Sequence, residues 1–294
     1  MAQFTTYDQI GIKEDVSPII TSISPTETPF TTLIKQEKCA ARVFEWQEDA
    51  IRAGAGNAKV EGASFSAGTT SPTTMRTNNT QILSETFEVT ATADSIALYG
   101  RAKETAYQLS KTLKAIKKDL EFAYVGVDNA AVTGDSSTAR EMASATQQIS
   151  TSVDAGSNAT DAMTEAKLLE LHEDCYDNGS DPSVLMIKPA DATIVSGFAA
   201  SSGRTRDFDT GTALVNVIDL YVSSFGELRV TLNRNQLTTH AFLIDPSMWR
   251  SMVLRPFTRE LLAKTSDSSV HAVVGEYSLK HMNFSADGML TGLS

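Results

Sequence analysis

The residues best suited to chemistry in this chain are its four histidines, and none lies in a complete site. Residues 172–175 read His-Glu-Asp-Cys on a predicted helix, which places two candidate zinc ligands on one face. A tetrahedral zinc site needs a second pair of ligands, and the sequence offers none with suitable spacing. His172 is therefore predicted to be a partly exposed helix residue. His271 and His281 fall on a predicted strand without the adjacent carboxylate and serine of a catalytic relay.

Two short motifs resemble parts of enzyme sites but lack the necessary context. Residues 54–57 (Gly-Ala-Gly-Asn) resemble a phosphate-binding loop without its lysine and following helix. Residues 207–211 contain an Asp-Thr-Gly triplet of the kind that aspartic proteases use in pairs, yet it occurs once. We therefore predict no catalytic residue, no cofactor and no metal. A hydrolase that uses Asp207 or His172 is the third of three alternative functions.

Composition argues against several classes of protein. The 294 residues carry a net charge of −11, whereas general nucleic-acid binding relies on Lys and Arg neutralising phosphates. No apolar run approaches the length of a membrane span, and no secretory signal is expected. The two cysteines, Cys39 and Cys175, are too few for a disulfide framework and lack the spacing of a metal motif. A reducing compartment is therefore expected.

A long amphipathic helix is the element most clearly predicted. Between residues 101 and 127, apolar or small side chains recur at alternating steps of four and three, which is one helical stripe held for over three heptads. Lysines outnumber carboxylates on the polar face, so this face is locally positive in an acidic protein. We expect the helix to span a domain as a packed spine rather than to form a coiled coil. The stripe consists of Ala102, Ala106, Leu109, Leu113, Ile116, Leu120, Ala123 and Val127.

Extended segments precede this helix. Residues 42–48 and 83–93 alternate apolar and polar side chains and are predicted to pair as antiparallel strands. The tip between them, residues 53–75, is rich in Gly, Ala, Ser and Thr, and loops of that length are uncommon unless they act on something else. We predict that the tip lies on a neighbouring copy of the same protein. Residues 1–38 are predicted to be an arm that drapes over its own or a partner's surface, with residues 23–30 extended.

The second half of the chain predicts an α/β unit inserted before a strand-rich end, so the fold class is α+β. From Thr164, a predicted helix N-cap, strands and helices alternate, and residues 184–187 read as a fully buried strand. Residues 246–294 are expected to pack beside the long helix. Their last long strand is predicted to have one buried and one wet face. The buried face comprises Val273, Tyr277 and Leu279, and the wet face Glu276, Ser278 and Lys280.

Six short segments add a resemblance that spans nearly the whole chain. They are residues 5–16 (TTYDQIGIKEDV), 24–30 (SPTETPF), 45–49 (EWQED), 60–63 (VEGA), 255–257 (RPF) and 262–265 (LAKT). The predicted order of parts is arm, strand, loop, strand, long helix, α/β insertion and strand-rich end. With these segments and this order, the chain resembles the Hong Kong 97-type major capsid protein of tailed bacteriophages.

The resemblance implies a Hong Kong 97-like fold of five parts. They are an N-terminal arm at 1–38, an extended loop with its strands at 39–96, a spine helix and peripheral-domain connection at 97–163, an axial domain at 164–245, and the C-terminal strands of the peripheral domain at 246–294. It also implies that copies assemble as pentamers and hexamers into an icosahedral shell. The shell would enclose double-stranded DNA without sequence-specific binding, and an acidic subunit would avoid sticking to that DNA.

Partners and location follow from the same resemblance. Besides other copies of the chain, portal, scaffold and decoration proteins are candidate partners, and no membrane is involved. The protein would reside in the virion capsid after assembly in the cytoplasm of a bacterial host. The chain departs from the family's type example because it shows no long helical N-terminal scaffolding segment. Lys59 lies in the loop without an identifiable asparagine partner, so no covalent crosslink is predicted.

The candidate functional residues are inter-subunit contacts. Those of the arm and loop are Phe30, Arg52, Lys59, Glu61, Phe65 and Arg76. Those of a loop in the axial domain are Arg204, Arg206, Asp207 and Asp209. The leading alternative function is another phage ring or tube component, such as a tail-tube or connector subunit. An all-β core would favour that alternative, and the long central helix disfavours it.

Overall fold

The described part of the chain combines helices with a four-stranded sheet, a six-stranded sheet and a two-stranded hairpin, which confirms the predicted α+β class. A computed structural model describes residues 27–64, 68, 70–96, 103–156, 162–201, 220–264 and 266–293. None of the helices in these ranges is both long and apolar enough to cross a bilayer. The helices are α1 (Pro29–Leu33), α2 (Ala91–Ser95), α3 (Glu104–Glu121), α4 (Ala145–Gln148), α5 (Glu165–Asp177) and α6 (Ala192–Ser201). The strands are β1 (Lys35–Lys38), β2 (Val43–Glu48), β3 (Thr74–Asn79), β4 (Gln81–Thr90), β5 (Thr151–Asp154), β6 (Val184–Ile187), β7 (Leu220–Val222), β8 (Glu227–Leu232), β9 (Ala241–Ile244), β10 (Trp249–Leu261), β11 (Ser268–His281) and β12 (Gly288–Thr291).

The spine helix α3 packs against the four-stranded sheet, whose strand order is β1-β10-β11-β4. β1 runs parallel to β10, and the other neighbours are antiparallel. The predicted apolar stripe faces the core in the second half of the helix, where Ile116 and Leu120 are buried. In the first half Ala106 is exposed, and Leu109 and Leu113 are only half-buried, so the buried stripe is shorter than predicted.

The regular helix ends at Glu121 rather than at the predicted Val127. Phe122–Gly126 continues the chain as one π-helical turn, a wider turn that is uncommon in proteins. Gly126 closes this turn because a Cβ at that position would collide with the carbonyl oxygen of Asn235. A larger side chain there would therefore force the end of the spine helix away from its neighbour.

The six-stranded sheet has the order β5-β12-β9-β6-β8-β7 and a hydrophobic core of its own. β6 and β9 are buried along their whole length, which confirms the prediction for residues 184–187. The Thr164 hydroxyl caps α5 as predicted, accepting a hydrogen bond from the Lys167 N–H at 3.4 Å. β5 and β12 come from outside residues 164–245, so that segment does not complete the sheet by itself.

One predicted strand pairing, in the hairpin that carries the long loop, is wrong. β2 pairs antiparallel with β3, and not with residues 83–93. Those residues lie mostly in β4, which pairs with β11 along its whole length. The physical reason is burial, because Leu83, Phe87 and Val89 turn toward the covered side of the four-stranded sheet.

β11 is covered on both faces, so the predicted wet face is wrong. Val273, Tyr277 and Leu279 are buried as predicted, and Glu276 and Ser278 on the opposite face are buried as well. Their polar atoms bind the end of β3 and the segment before α4 instead of water. Alternation indicates which residues share a face, but it does not show what covers that face.

The described end of the predicted arm, from residue 27, packs on its own chain. α1 begins at Pro29, which suits a first helical position, so the residues from 29 onward are helical and not extended. Phe30 is fully buried, edge-on to the rings of Tyr124 and Trp249 at centroid distances of 5.9 and 5.5 Å. The predicted role of Phe30 as an inter-subunit contact is therefore wrong, because its side chain belongs to the core.

Candidate functional site

The loop between β2 and β3 is the candidate assembly surface. Every described residue from 49 to 75 is exposed, including Arg52, Lys59 and Glu61. Apolar side chains are no exception, since Ile51 is 98% and Val60 82% exposed. A loop this long that finds no cover on its own chain fits one that acts on another molecule.

The loop stands on a rigid root. Trp46 of β2 is buried and packs near Phe284, with ring centroids 6.2 Å apart, and Phe44 stacks on Trp46 at 5.6 Å. Arg76 of β3 lies over the Phe284 ring at 4.2 Å, and its Nε is 2.6 Å from Glu48 Oε2. Arg76, predicted as an inter-subunit contact, thus makes contacts within its own chain. These contacts fix the direction in which the hairpin leaves the body.

A polar linkage joins the hairpin to the four-stranded sheet. The Asn78 side chain donates to the Leu279 carbonyl oxygen at 2.6 Å and accepts from the Ala143 N–H at 2.8 Å. The Thr80 hydroxyl donates to Glu276 at 2.7 Å, and two arginine side chains also bind this buried carboxylate. Sequence reasoning missed these residues, because polar residues between strands usually read as an exposed turn.

A second anchored point joins α1 to the end of the spine helix. The buried Glu121 carboxylate accepts hydrogen bonds from the Phe30 N–H at 2.7 Å, the Thr31 N–H at 2.8 Å and the Asn233 side chain at 2.7 Å. The first N–H groups of a helix have no partner within it, and a carboxylate is well suited to them. The sequence pattern put Glu121 on the polar face of the helix, where solvent exposure is expected. Periodicity alone does not show that α1 covers this end of the helix.

A buried acid–imidazole pair lies at the end of β11. His281 Nε2 is 2.9 Å from Asp287 Oδ2, and His281 Nδ1 is 2.8 Å from the Gln148 carbonyl oxygen. The imidazole stacks on Trp249 with ring centroids 4.1 Å apart. Asp287 also accepts from the Asp245 N–H at 2.6 Å, while burial raises the pKa of its carboxyl. The predicted lack of a carboxylate near His281 is therefore wrong, because Asp287 approaches from the turn before β12.

His172 is buried, and not partly exposed as predicted. Its Nδ1 lies 2.9 Å from the Ser223 hydroxyl oxygen, and burial lowers the pKa of the imidazole. Cys175 on the same helix is fully buried, and burial raises the pKa of its thiol to about 12. A buried thiol that stays protonated is a packing group rather than a nucleophile. Within the described ranges, no three His, Cys, Asp or Glu side chains are placed to hold a metal ion.

The predicted contact residues that the structure describes fall into three groups. Arg52, Lys59 and Glu61 lie together on the exposed loop, Arg76 lies in its root, and Phe30 lies in the core. The remaining ones lie outside the described residues, and they are Phe65, Arg204, Arg206, Asp207 and Asp209.

Comparisons of sequence place the chain among capsid proteins. The family model of the SU10 major capsid protein matches residues 2–294. The major capsid protein of Escherichia phage Phieco32 is 29% identical over an alignment of 337 residues, which covers 98% of this chain and 96% of that protein. The similarity therefore extends over nearly the full length of both proteins.

Solved structures share the fold at low sequence identity. The capsid of a native GTA particle aligns with a TM-score of 0.70 at 12% identity, covering 98% of both chains. A chain of Mycobacterium phage Adephagia gives 0.62 at 15% identity, covering 99% of this chain and 98% of that one. The SrpI encapsulin of Synechococcus elongatus PCC 7942 gives 0.61 at 9% identity, covering 97% of this chain and 93% of that one. These likenesses establish the Hong Kong 97-like fold.

The family match also decides between the alternative functions. The matched family consists of structural shell proteins and not of enzymes, which removes the hydrolase alternative through Asp207 or His172. No similarity supports a tail-tube or connector subunit. This chain belongs to the SU10 major capsid protein family.

Proposed function

We propose that this protein is the subunit of a phage head that assembles as pentamers and hexamers into a closed icosahedral shell around double-stranded DNA. The observation that carries the proposal is the loop between β2 and β3, which a fixed root holds outward and nothing in the described chain covers. Membership of a capsid family supports the shell, and the loop explains why one copy needs its neighbours.

The loop has the reach and composition that this role requires. At about 3.3 Å per extended residue, residues 49–73 reach about 40 Å out and back. Its small side chains allow the loop to adapt to neighbours in different symmetry environments, while the root stays rigid. Ordering such a loop costs about 1–2 kcal/mol per residue. Each contact is therefore individually weak, and the stability of the shell comes from many simultaneous contacts.

The two sheets have different tasks in this proposal. The four-stranded sheet and α3 form the stiff peripheral domain, and residues 164–245 form most of the axial domain, which meets its copies at the symmetry axes. Of the arm predicted at residues 1–38, residues 1–26 add further contacts between copies in this proposal, because residues 27–38 pack on their own chain. The proposed loop contacts are Arg52, Lys59, Glu61 and Phe65, and the proposed axial contacts are Arg204, Arg206, Asp207 and Asp209.

The enclosed DNA is held without base-specific contacts, because a subunit of net charge −11 repels phosphates at long range. Weak holding lets the genome enter and leave. Assembly in the host cytoplasm, with portal, scaffold and decoration proteins as partners, completes the proposal.

Deleting residues 54–73 tests the proposal. Glu48 and Thr74 are opposite one another in the hairpin, so residues 49–53 can still bridge the strands. We expect a soluble protein with an unchanged melting temperature that no longer closes into shells, as judged by negative-stain electron microscopy and sedimentation velocity. Full-sized shells from the deletion variant would refute the role of the loop.

A matched control replaces residues 54–73 by a Gly-Ser segment of equal length. This variant keeps the reach of the loop and removes its side chains. If side-chain contacts hold the neighbours, the control should assemble as poorly as the deletion. If reach alone matters, it should assemble as well as the unchanged protein.

A further inference from the structure

The exposed face of the spine helix carries a row of lysines, which we call the lysine row: Lys111, Lys114 and Lys118. Their positions lie opposite the buried Ile116 and Leu120, and all three side chains are exposed. None has an ion-pair partner in the described part of the chain. Five other lysines there each lie within 3.7 Å of a carboxylate oxygen: Lys103, Lys167, Lys188, Lys264 and Lys280. The lysine row is thus a concentration of uncompensated positive charge in an acidic protein.

A second helix carries the opposite charge at a matching spacing. α5 buries Leu168, Leu171 and Cys175 and exposes four carboxylates on the opposite face. We call these the acidic row: Glu170, Glu173, Asp174 and Asp177. Glu170 is 3.0 Å from Lys167, and the other three have no ion pair among the described residues. Each row spans two helical turns, about 10 Å at 1.5 Å per residue.

The two rows do not meet within one copy. α3 packs on the four-stranded sheet, whereas α5 packs on the six-stranded sheet against β5 and β12. No ion pair joins the two rows in the described chain, where the one ion pair that involves either row is that of Glu170 with Lys167. Each row is therefore available to a different molecule.

We propose that the lysine row of one copy docks on the acidic row of the adjacent copy. This inference rests on the proposed function, because it assigns a contact within the shell. A contact between two different faces of the same chain is heterologous, and such contacts close into rings when the rotation allows. Each exposed ion pair is weak, but a ring repeats the set at every interface. The rows also fix which face meets which, since two like rows repel.

A second copy suits the lysine row better than nucleic acid does. The net charge of −11 opposes the approach of a polyanion as a whole. Every copy carries one lysine row and one acidic row of matching length, so the two rows are always present in equal amounts. Duplex DNA is the competing partner, and the test must distinguish it from a second copy.

Charge reversal with rescue tests the pairing. One variant carries Lys114→Glu and Lys118→Glu, a second carries Glu173→Lys and Asp177→Lys, and a third combines all four changes. The combined variant has the same net charge as the unchanged protein. A control with Lys35→Glu and Lys38→Glu alters two exposed lysines of β1 by the same charge. Particle yield is measured by sedimentation velocity and electron microscopy, and folding by melting temperature.

We expect each single-row variant to melt normally and to give at least tenfold fewer assembled particles. The combined variant should recover to within twofold of the unchanged protein, and the control should assemble normally. Failure of the combined variant to recover, or normal assembly of either single-row variant, would overturn the pairing. So would a lysine-row variant that assembles normally but loses salt-sensitive binding to a duplex DNA oligonucleotide. If the unchanged protein forms shells in these cases, the proposed function stands while the pairing fails.

Discussion

At the scale of single residues, Glu121 joins segments that are far apart in sequence. Replacing Glu121 by Ala would leave the buried Phe30 N–H, the half-buried Thr31 N–H and the buried side chain of Asn233 without their carboxylate acceptor. Orphaned buried donors and a broken charge-assisted network are among the costliest single changes. We expect the free energy of unfolding to fall by about 3 kcal/mol, measured by urea denaturation.

Asp119→Ala is the matched control for Glu121→Ala. Asp119 lies two residues away on the same helix and is exposed. Its removal should change the free energy of unfolding by less than about 0.5 kcal/mol. Similar losses in the two variants would show that helix charge, and not the anchoring of α1, accounts for the effect.

Asp287 should make stability depend on pH in an unusual direction. Burial raises the pKa of its carboxyl above the ordinary value of 3.8, so the folded state holds a proton that the unfolded chain has lost. Where the folded state binds more protons, the free energy of unfolding decreases as pH rises. The stabilising contribution of the neutral carboxyl is therefore complete below pH 3.8 and is lost as pH rises through the folded pKa. Urea denaturation at several pH values measures this trend.

Asp287→Asn removes the titration while keeping the shape of the side chain. It should cost about 1–3 kcal/mol at low pH, because one N–H donor loses its oxygen. The stability difference between the unchanged protein and the variant should shrink as pH rises from 4 toward 8. Asp135→Asn should show the opposite trend in a lower pH range, since hydrogen bonds from Ser137 and Thr138 hold the pKa of Asp135 at about 2, below its ordinary value of 3.8. Its stability difference should grow as pH rises from about 2 to about 4 and stay constant above that. A difference for Asp287→Asn that is constant with pH would contradict the assignment.

Single residues were predictable where their role depends on near neighbours in sequence. Thr164 as a cap and Leu168 as a core residue follow from spacing within a few positions. Glu121 and Asp287 depend on segments that arrive from far along the chain, and their local pattern indicates solvent exposure. Local periodicity does not show which distant segments of the chain cover a residue.

At the scale of elements, the root of the β2–β3 hairpin holds the loop in a fixed direction. Phe284→Ala removes the surface that Trp46 and Arg76 pack on. Because Phe284 is only half-buried, we expect a loss of about 2 kcal/mol, below the 3–5 kcal/mol of a fully buried Phe. The β2–β3 hairpin should become susceptible to limited proteolysis, and Trp46 fluorescence should shift to the red.

Phe122→Ala makes the same chemical change at a side chain that is 51% exposed. It should leave the hairpin as resistant to protease as in the unchanged protein. Trp249 is fully buried and separated from Phe284 by the stacked His281 ring, so its emission should stay blue in both variants. A protease-resistant hairpin in Phe284→Ala would mean that the linkage at residues 78–80 alone holds it.

Most elements were predictable, and their pairing was not. The strands at residues 42–48 and 184–187 and the helix α5 follow from local periodicity. The pairing of β2 with β3 rather than with β4 depends on β11, which is almost 200 residues away from β4 and competes for it. Hydrogen bonding to a distant strand leaves no mark in the alternation of a single segment.

At the scale of the whole molecule, the order of parts carried more information than any motif. The segments that resemble capsid proteins are short, yet their order along the chain matches a fold that the comparisons establish. Two anchored points, at Glu121 and at the Phe284 root, make the body stiff. The loop and the charged rows are then presented in fixed directions. Assembly should therefore depend on surface charge without a change in the subunit fold.

Salt dependence follows from these charged rows. Raising NaCl from 0.15 M to 1 M shortens the Debye length from about 8 Å to about 3 Å, which screens exposed pairs and spares buried contacts. We expect the shell yield to fall as salt rises, while the melting temperature of the unassembled subunit stays nearly constant. A variant with Lys114→Gln, Lys118→Gln, Glu173→Gln and Asp177→Asn should assemble less well at low salt and respond little to added salt. Equal salt sensitivity in the two proteins would place the responsible charges outside the rows, and the loop residues Arg52, Lys59 and Glu61 would then be the next candidates.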